Sequence, residues 1–121
     1  MKIVIATGNA GKMKEIKSIF NNSEYEVMSM KEEGIAADVD ENGATFEENA
    51  LIKAREIAKI SGNIVLADDS GLEVDALNKE PGIYSARYMG EDTPYSIKNA
   101  NIIERLEGVE FEKRTARFVC A

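Results

Sequence analysis

The chain has 121 residues, with 15 Lys+Arg against 22 Asp+Glu and a formal net charge of −7. That length fits one domain over residues 1–121, and 44% hydrophobic with 31% charged residues is a globular composition rather than a disordered one. One cysteine, Cys120, excludes an internal disulfide and a cysteine-cluster zinc site, and the absence of histidine excludes Ser-His-Asp and Cys-His nucleophiles, His-ligated metals and imidazole acid–base groups. The acidic balance argues against a broad nucleic-acid face, which needs clustered cations. No apolar run approaches a membrane span, and the stretch at residues 1–6 is too short for a signal-peptide core. The expectation is therefore a cytoplasmic protein with neither membrane nor nucleic acid as partner. Any chemistry falls to carboxylates, lysines, hydroxyls and a hard metal.

In chain order, residues 2–6 (Lys-Ile-Val-Ile-Ala) form a β-branched run stopped by Thr7-Gly8-Asn9, which predicts a buried strand entering a tight loop. Met13, Ile16, Ile19 and Phe20 recur at three- and four-residue spacings, predicting a helix over 12–20 with one apolar face. A second strand is predicted over 25–30. Strand, helix and strand in that order are the opening unit of an α/β sheet. Residues 31–44 are acidic and aperiodic, and predict a long loop; loops of that length in compact domains commonly carry function.

Thr45-Phe46-Glu47-Glu48 matches a capping box, and Phe46, Ala50, Ala54, Ile57 and Ala58 make one stripe of a helix running to about residue 60, with Gly62 as its C-terminal cap. A third strand is predicted over 64–67, ending in the turn-like Asp68-Asp69-Ser70-Gly71. A short strand over 72–77 and a Pro81-Gly82 turn follow. Tyr84-Ser85-Ala86-Arg87-Tyr88 reads either as a half-buried strand or as an arginine set to stack or to anchor an interface. Thr93-Pro94 predicts an N-cap with proline opening a helix to Leu106, and residues 115–121 a last strand. Met28, Met30, Met89 and Cys120 are read as core filling. Because the sequence stops inside an apolar strand, the expectation is a longer chain ending early.

Four segments carry the chemistry. Thr7-Gly8-Asn9-Ala10-Gly11-Lys12 joins a strand to a helix start, with two glycines for close backbone approach and one cation. Those are the needs of a phosphate cradle, although Met13 after Lys12 rules out a Walker A loop, and an ordinary Gly-rich turn would read the same. Asp68 and Asp69 are adjacent carboxylates at the C-terminal end of a strand, the edge where α/β sheets bind ligands. Mg²⁺ would suit such a pair, and a solvated turn is the alternative. Glu41 lies in the acidic loop beside Asp38 and Asp40, where solvation alone would explain it, and Lys53 lies at the polar boundary of its helical stripe, where snorkelling would explain it.

Four motifs stand in register: Thr7 to Lys12, Thr45-Phe46-Glu47-Glu48-Asn49-Ala50-Leu51-Ile52-Lys53, Ala67-Asp68-Asp69-Ser70-Gly71-Leu72, and Pro81-Gly82-Ile83-Tyr84-Ser85-Ala86-Arg87-Tyr88. Together they closely resemble the inosine triphosphate pyrophosphatase family, enzymes that hydrolyse non-standard purine nucleoside triphosphates. The resemblance implies an α/β fold with a mixed, twisted sheet flanked by helices, a second lobe incomplete here, and a homodimer or other homo-oligomer. It implies cleavage of ITP, dITP or XTP between the α and β phosphates, giving the monophosphate and pyrophosphate, with Mg²⁺ as cofactor. Carried onto this sequence, the loop of Thr7, Gly8, Asn9, Ala10, Gly11 and Lys12 would hold the triphosphate, Lys53 would add a catalytic cation, and Ser70 would contact substrate. Glu41, Asp69 and Asp68 would form the metal site, with Asp69 also orienting or deprotonating the attacking water. The family's later Phe-Gly-Tyr-Asp and Ser-His-Arg motifs, associated with the purine base, do not occur in this sequence. Two other readings are a binding fragment without turnover and a septum-inhibition-type nucleotide pyrophosphatase, which acts on pyrimidine nucleotides.

Overall fold

The first strand pairs on both sides. β1 (Lys2–Ile5) lies parallel to β2 (Glu26–Ser29) and to β3 (Ile64–Leu66), in the order β2-β1-β3. Val4 and Ala6 are fully buried, as a central strand requires, and they pack with Ile57 while Met30, Ile35, Ala37, Val39, Val65 and Ala67 close the cluster. The structure, a computed structural model, describes all residues from Met1 to Ala121. The chain folds into two compact units, Met1–Asp68 and Asp69–Ala121. The structure therefore carries parallel and antiparallel pairing in two separate sheets.

In the first unit, α1 (Ala10–Ile19) follows β1 directly, two residues earlier than the apolar spacing predicts, because Asn9 caps it. Its apolar face is only partly used: Met13, Ile16 and Phe20 are half-buried, while Ile19 is 78% exposed and does not join the core. The predicted long loop over 31–44 is found. α2 (Phe46–Ser61) then begins at Thr45, whose Oγ1 accepts the Glu48 N–H at 3.1 Å. The Glu48 carboxylate reaches back to the Ala44 N–H at 2.7 Å, one residue before the position that the usual reciprocal box uses. Gly62 closes the helix at φ 69°, a left-handed conformation that favours glycine, and donates its N–H to the Ala58 carbonyl.

The second unit is built on β4 (Ser70–Val74), which pairs antiparallel with β5 (Glu80–Pro81) and with β6 (Ala116–Cys120), in the order β5-β4-β6. Val74, Leu77, Ile102 and Leu106 form its core, with α3 (Tyr95–Arg105) contributing Ile102. Short 3₁₀ turns at Asp75–Leu77, Gly82–Tyr84 and Phe111–Lys113 fill the connections.

Several sequence expectations change here. The predicted Asp68-Asp69-Ser70-Gly71 turn is only a three-residue connection, because Ser70 already pairs with Cys120 in the second sheet. Residues 84–88 are not a strand: the 3₁₀ turn continues into further turns, and the Arg87 guanidinium lies 5.2 Å from the centre of the Tyr84 ring. Thr93 does not cap α3, since its hydroxyl donates to the Met89 carbonyl at 2.6 Å and the helix starts at Tyr95. Met89 and Cys120 are exposed rather than core. Lys98, unremarked in the sequence, is 3% exposed and donates from Nζ to the Ala86 carbonyl at 2.9 Å. No helix is long and apolar enough to cross a membrane.

Candidate functional site

Three parallel strands whose central member is β1 bring three loop starts to one edge. The chain leaves β1 for β2 on one side and later returns to β3 on the other, so β1 is where the connections change direction. In open α/β sheets, ligands bind outside the carboxyl ends of the strands at such a point. Here that edge carries Thr7 to Lys12 after β1, Met30 and the acidic loop after β2, and Asp68 after β3.

The first loop is ordered by its own side chains. Thr7 Oγ1 accepts the Asn9 N–H at 3.1 Å, and Asn9 Oδ1 accepts the Lys12 N–H at 3.0 Å, which makes Asn9 the N-cap of α1. Ala10, Gly11 and Lys12 form the first helical turn; the Lys12 N–H is taken by the Asn9 cap, and the N–H groups of Ala10 and Gly11 precede the first intrahelical bond in the manner of helix starts. A Cβ at Gly8 would meet nothing within 4 Å, which leaves open space against that backbone. Lys12 stands at the positive end of the helix dipole, where a cation is disfavoured. The Asp68 carboxylate offsets this, accepting the Lys12 ammonium at 2.7 Å.

Asp68 also meets the second lysine. Its carbonyl accepts from Lys53 Nζ at 2.9 Å, and the same ammonium pairs with Glu41 Oε1 at 2.7 Å. Lys53 is therefore drawn inward, with its side chain 18% exposed, instead of snorkelling to water. Two cations and two carboxylates thus interlock within the first unit. A small cavity of about 260 Å³ opens beside them, walled by Thr7, Gly8, Met30, Ala37, Val39 and the Glu41–Lys53 pair. That is just below the roughly 300–1,000 Å³ of typical ligand pockets. The apolar wall of Met30, Ala37 and Val39 escaped the sequence reading; the alternation of Ile35, Ala37 and Val39 inside the acidic loop was its signal.

Asp69 and Ser70 open the second unit, where the Asp69 backbone exchanges two 2.9 Å hydrogen bonds with Ala121 and Ser70 begins β4. No group of three or more Cys, Asp or Glu side chains gathers closely enough to hold a metal ion by itself. Mg²⁺ commonly takes one or two carboxylates, several waters and phosphate oxygens. Glu41 and Asp68 are hard oxygen donors, part-exposed at 29% and 21%, and fit such a shared site.

The family model described as "Ham1 family" matches residues 3–121. The chain belongs to the Ham1 family. This Ham1-family chain is 49% identical, over its whole length, to a protein of Exiguobacterium sibiricum named dITP/XTP pyrophosphatase, of which it covers 61%. Among solved structures it resembles a HAM1 protein from Coxiella burnetii, with a TM-score of 0.89 at 38% identity, covering 99% of this chain and 60% of that one. The Ham1 protein of Staphylococcus aureus is 47% identical with a TM-score of 0.79 and the same coverages. The chain thus spans about three fifths of the length of the relatives it matches.

Proposed function

We propose that this chain holds the triphosphate of a non-standard purine nucleotide, such as dITP or XTP, and takes part in releasing pyrophosphate from it. The observation that carries the reading is the placement of Asp68 between Lys12 and Lys53 at the carboxyl edge of the β2-β1-β3 sheet, with Glu41 on Lys53. Relatives named dITP/XTP pyrophosphatase support it. A chain of net charge −7 can bind a polyanion only where cations are concentrated, and these lysines with the backbone at residues 7–12 concentrate them.

In this proposal Thr7, Gly8, Asn9, Ala10, Gly11 and Lys12 receive the phosphate chain, and Lys53 offsets the negative charge that develops on the transferred group. Glu41, Asp68 and Asp69 hold Mg²⁺, which when bound offsets phosphate charge and acidifies water. Asp69 takes the proton of the attacking water. That water adds to the α-phosphorus, the bond to the bridging oxygen breaks, and pyrophosphate leaves with the electron pair. Ser70, next in the chain, contacts substrate. The family resemblance also supports action in the cytoplasm by a homodimer, for which a monomer in sedimentation velocity would count against the second part.

One rival reading is binding of the nucleotide without turnover. Pyrophosphate release from dITP, XTP, ATP and UTP with Mg²⁺, beside an Asp69→Asn control, separates the readings. Release from dITP and XTP that fails in the control supports hydrolysis. Tight Mg²⁺-dependent binding with no release supports the rival, and preference for a pyrimidine nucleotide would point to the septum-inhibition type.

A further inference from the structure

We propose that Asn49 is the positioning residue for Glu41: its buried amide grips the backbone of Gly43 and so fixes the loop that carries the carboxylate. The inference rests on the reading of Glu41 as a metal ligand. Asn49 is fully buried, in the second turn of α2, where asparagine is a poor helix former and an apolar side chain would pack without penalty. Its Nδ2 is buried without a hydrogen-bond partner, which is costly. What the amide supplies in return is Oδ1, which accepts the Gly43 N–H at 2.7 Å.

The other half of the junction is equally demanding. A Cβ on Gly43 would lie 2.7 Å from Asn49 Oδ1 and 2.8 Å from Glu48 Cβ, so only glycine lets the loop lie this close to the helix. Asn49 and Lys53 are four residues apart and share a face of α2. The loop is thereby held to that face twice, through Gly43 on Asn49 and through Glu41 on Lys53. The two attachments differ in one respect. The Glu41–Lys53 pair joins the groups proposed to take metal and phosphate, so ligand binding draws on it. The Gly43–Asn49 bond uses no group of the site and persists when that pair opens, keeping the carboxylate where the cation needs it.

The test is the dissociation constant of Mn²⁺, read by electron paramagnetic resonance with tripolyphosphate present and no turnover required. Glu41→Gln, Asn49→Leu, Gly43→Ala and the two double variants with Glu41→Gln are compared, with thermal unfolding recorded for each. Asn49→Leu keeps the size and removes the acceptor; Gly43→Ala breaks the same junction and leaves Asn49 in place. Each is expected to weaken Mn²⁺ binding by roughly 10-fold, the lower range for groups that orient metal ligands. In the Glu41→Gln background neither should weaken it further. Unchanged affinity in both single variants, or an equal loss with and without Glu41, would overturn the proposal. If Glu41→Gln itself leaves Mn²⁺ affinity unchanged, the metal-ligand reading fails instead. Should Asn49→Leu not fold, Gly43→Ala decides the matter alone.

Discussion

Replacing Asp68 by asparagine should tighten the binding of metal-free tripolyphosphate, although the change removes a contact from the site. In the protein as it stands, the Lys12 ammonium is held 2.7 Å from the Asp68 carboxylate, with side chains 34% and 21% exposed. A polyanion must compete for that lysine and approach the carboxylate's own charge. Ion pairs near the surface are worth about 0.2–1 kcal/mol, and this half-covered one belongs at the upper end. A like charge about 4 Å away adds roughly 1 kcal/mol of repulsion even in water. Asparagine keeps a neutral acceptor for the lysine, so part of the first contribution remains. A gain of about 1 kcal/mol, or roughly 5-fold in dissociation constant, is therefore expected. Isothermal titration with tripolyphosphate and EDTA measures it, and the gain should shrink in 1 M salt, where the screening length falls to about 3 Å. Equal or weaker binding by Asp68→Asn would show that Lys12 is not a phosphate cation restrained by this pair.

Other changes test the scaffold. Thr45→Ala removes the acceptor for the Glu48 N–H and should lower stability by about 1 kcal/mol in chemical denaturation; no change would mean that the Glu48–Ala44 contact suffices as a cap. Ile57→Ala opens a cavity beside Val4 and Ala6 and should cost roughly 2–5 kcal/mol, with a smaller loss indicating that the first core is loosely packed. The hydrogen bond from Thr115, followed by that from Arg117, holds the Asp75 carboxyl below its ordinary value. Its stabilising contribution is thus present above the ordinary aspartate range and is lost as pH falls through the depressed pKa of the folded state. Thr115→Val should raise that pKa towards the ordinary value in an NMR titration, and an unmoved titration would contradict the assigned cause.

Local signals located what they physically determine. The β-branched run of β1, the Thr45 cap, the Gly62 cap and the aperiodic acidic loop all depend on neighbours within a few residues, and each stands where the sequence placed it. Failures occurred where distant pairing decides, or where a neighbouring backbone group competes for the capping hydroxyl. Ser70 looked like part of a turn, yet it starts a strand because Cys120, fifty positions on, supplies its partner. Thr93 looked like a cap, and the Met89 carbonyl captured its hydroxyl. For the site, adjacency of Lys12 and Asp68 could not be read from a separation of 56 residues; it follows from β1 lying beside β3. Asn49 left a faint trace as a polar residue on the buried side of α2, and Gly43 left none, since only the folded helix shows what a side chain there would strike.

The most direct test of the account is hydrolysis of XTP by the protein with Mg²⁺ in water enriched in oxygen-18, followed by phosphorus-31 NMR. The account predicts XMP and pyrophosphate as products, with the isotope in XMP. Release of inorganic phosphate and XDP, or label appearing in pyrophosphate, would contradict it.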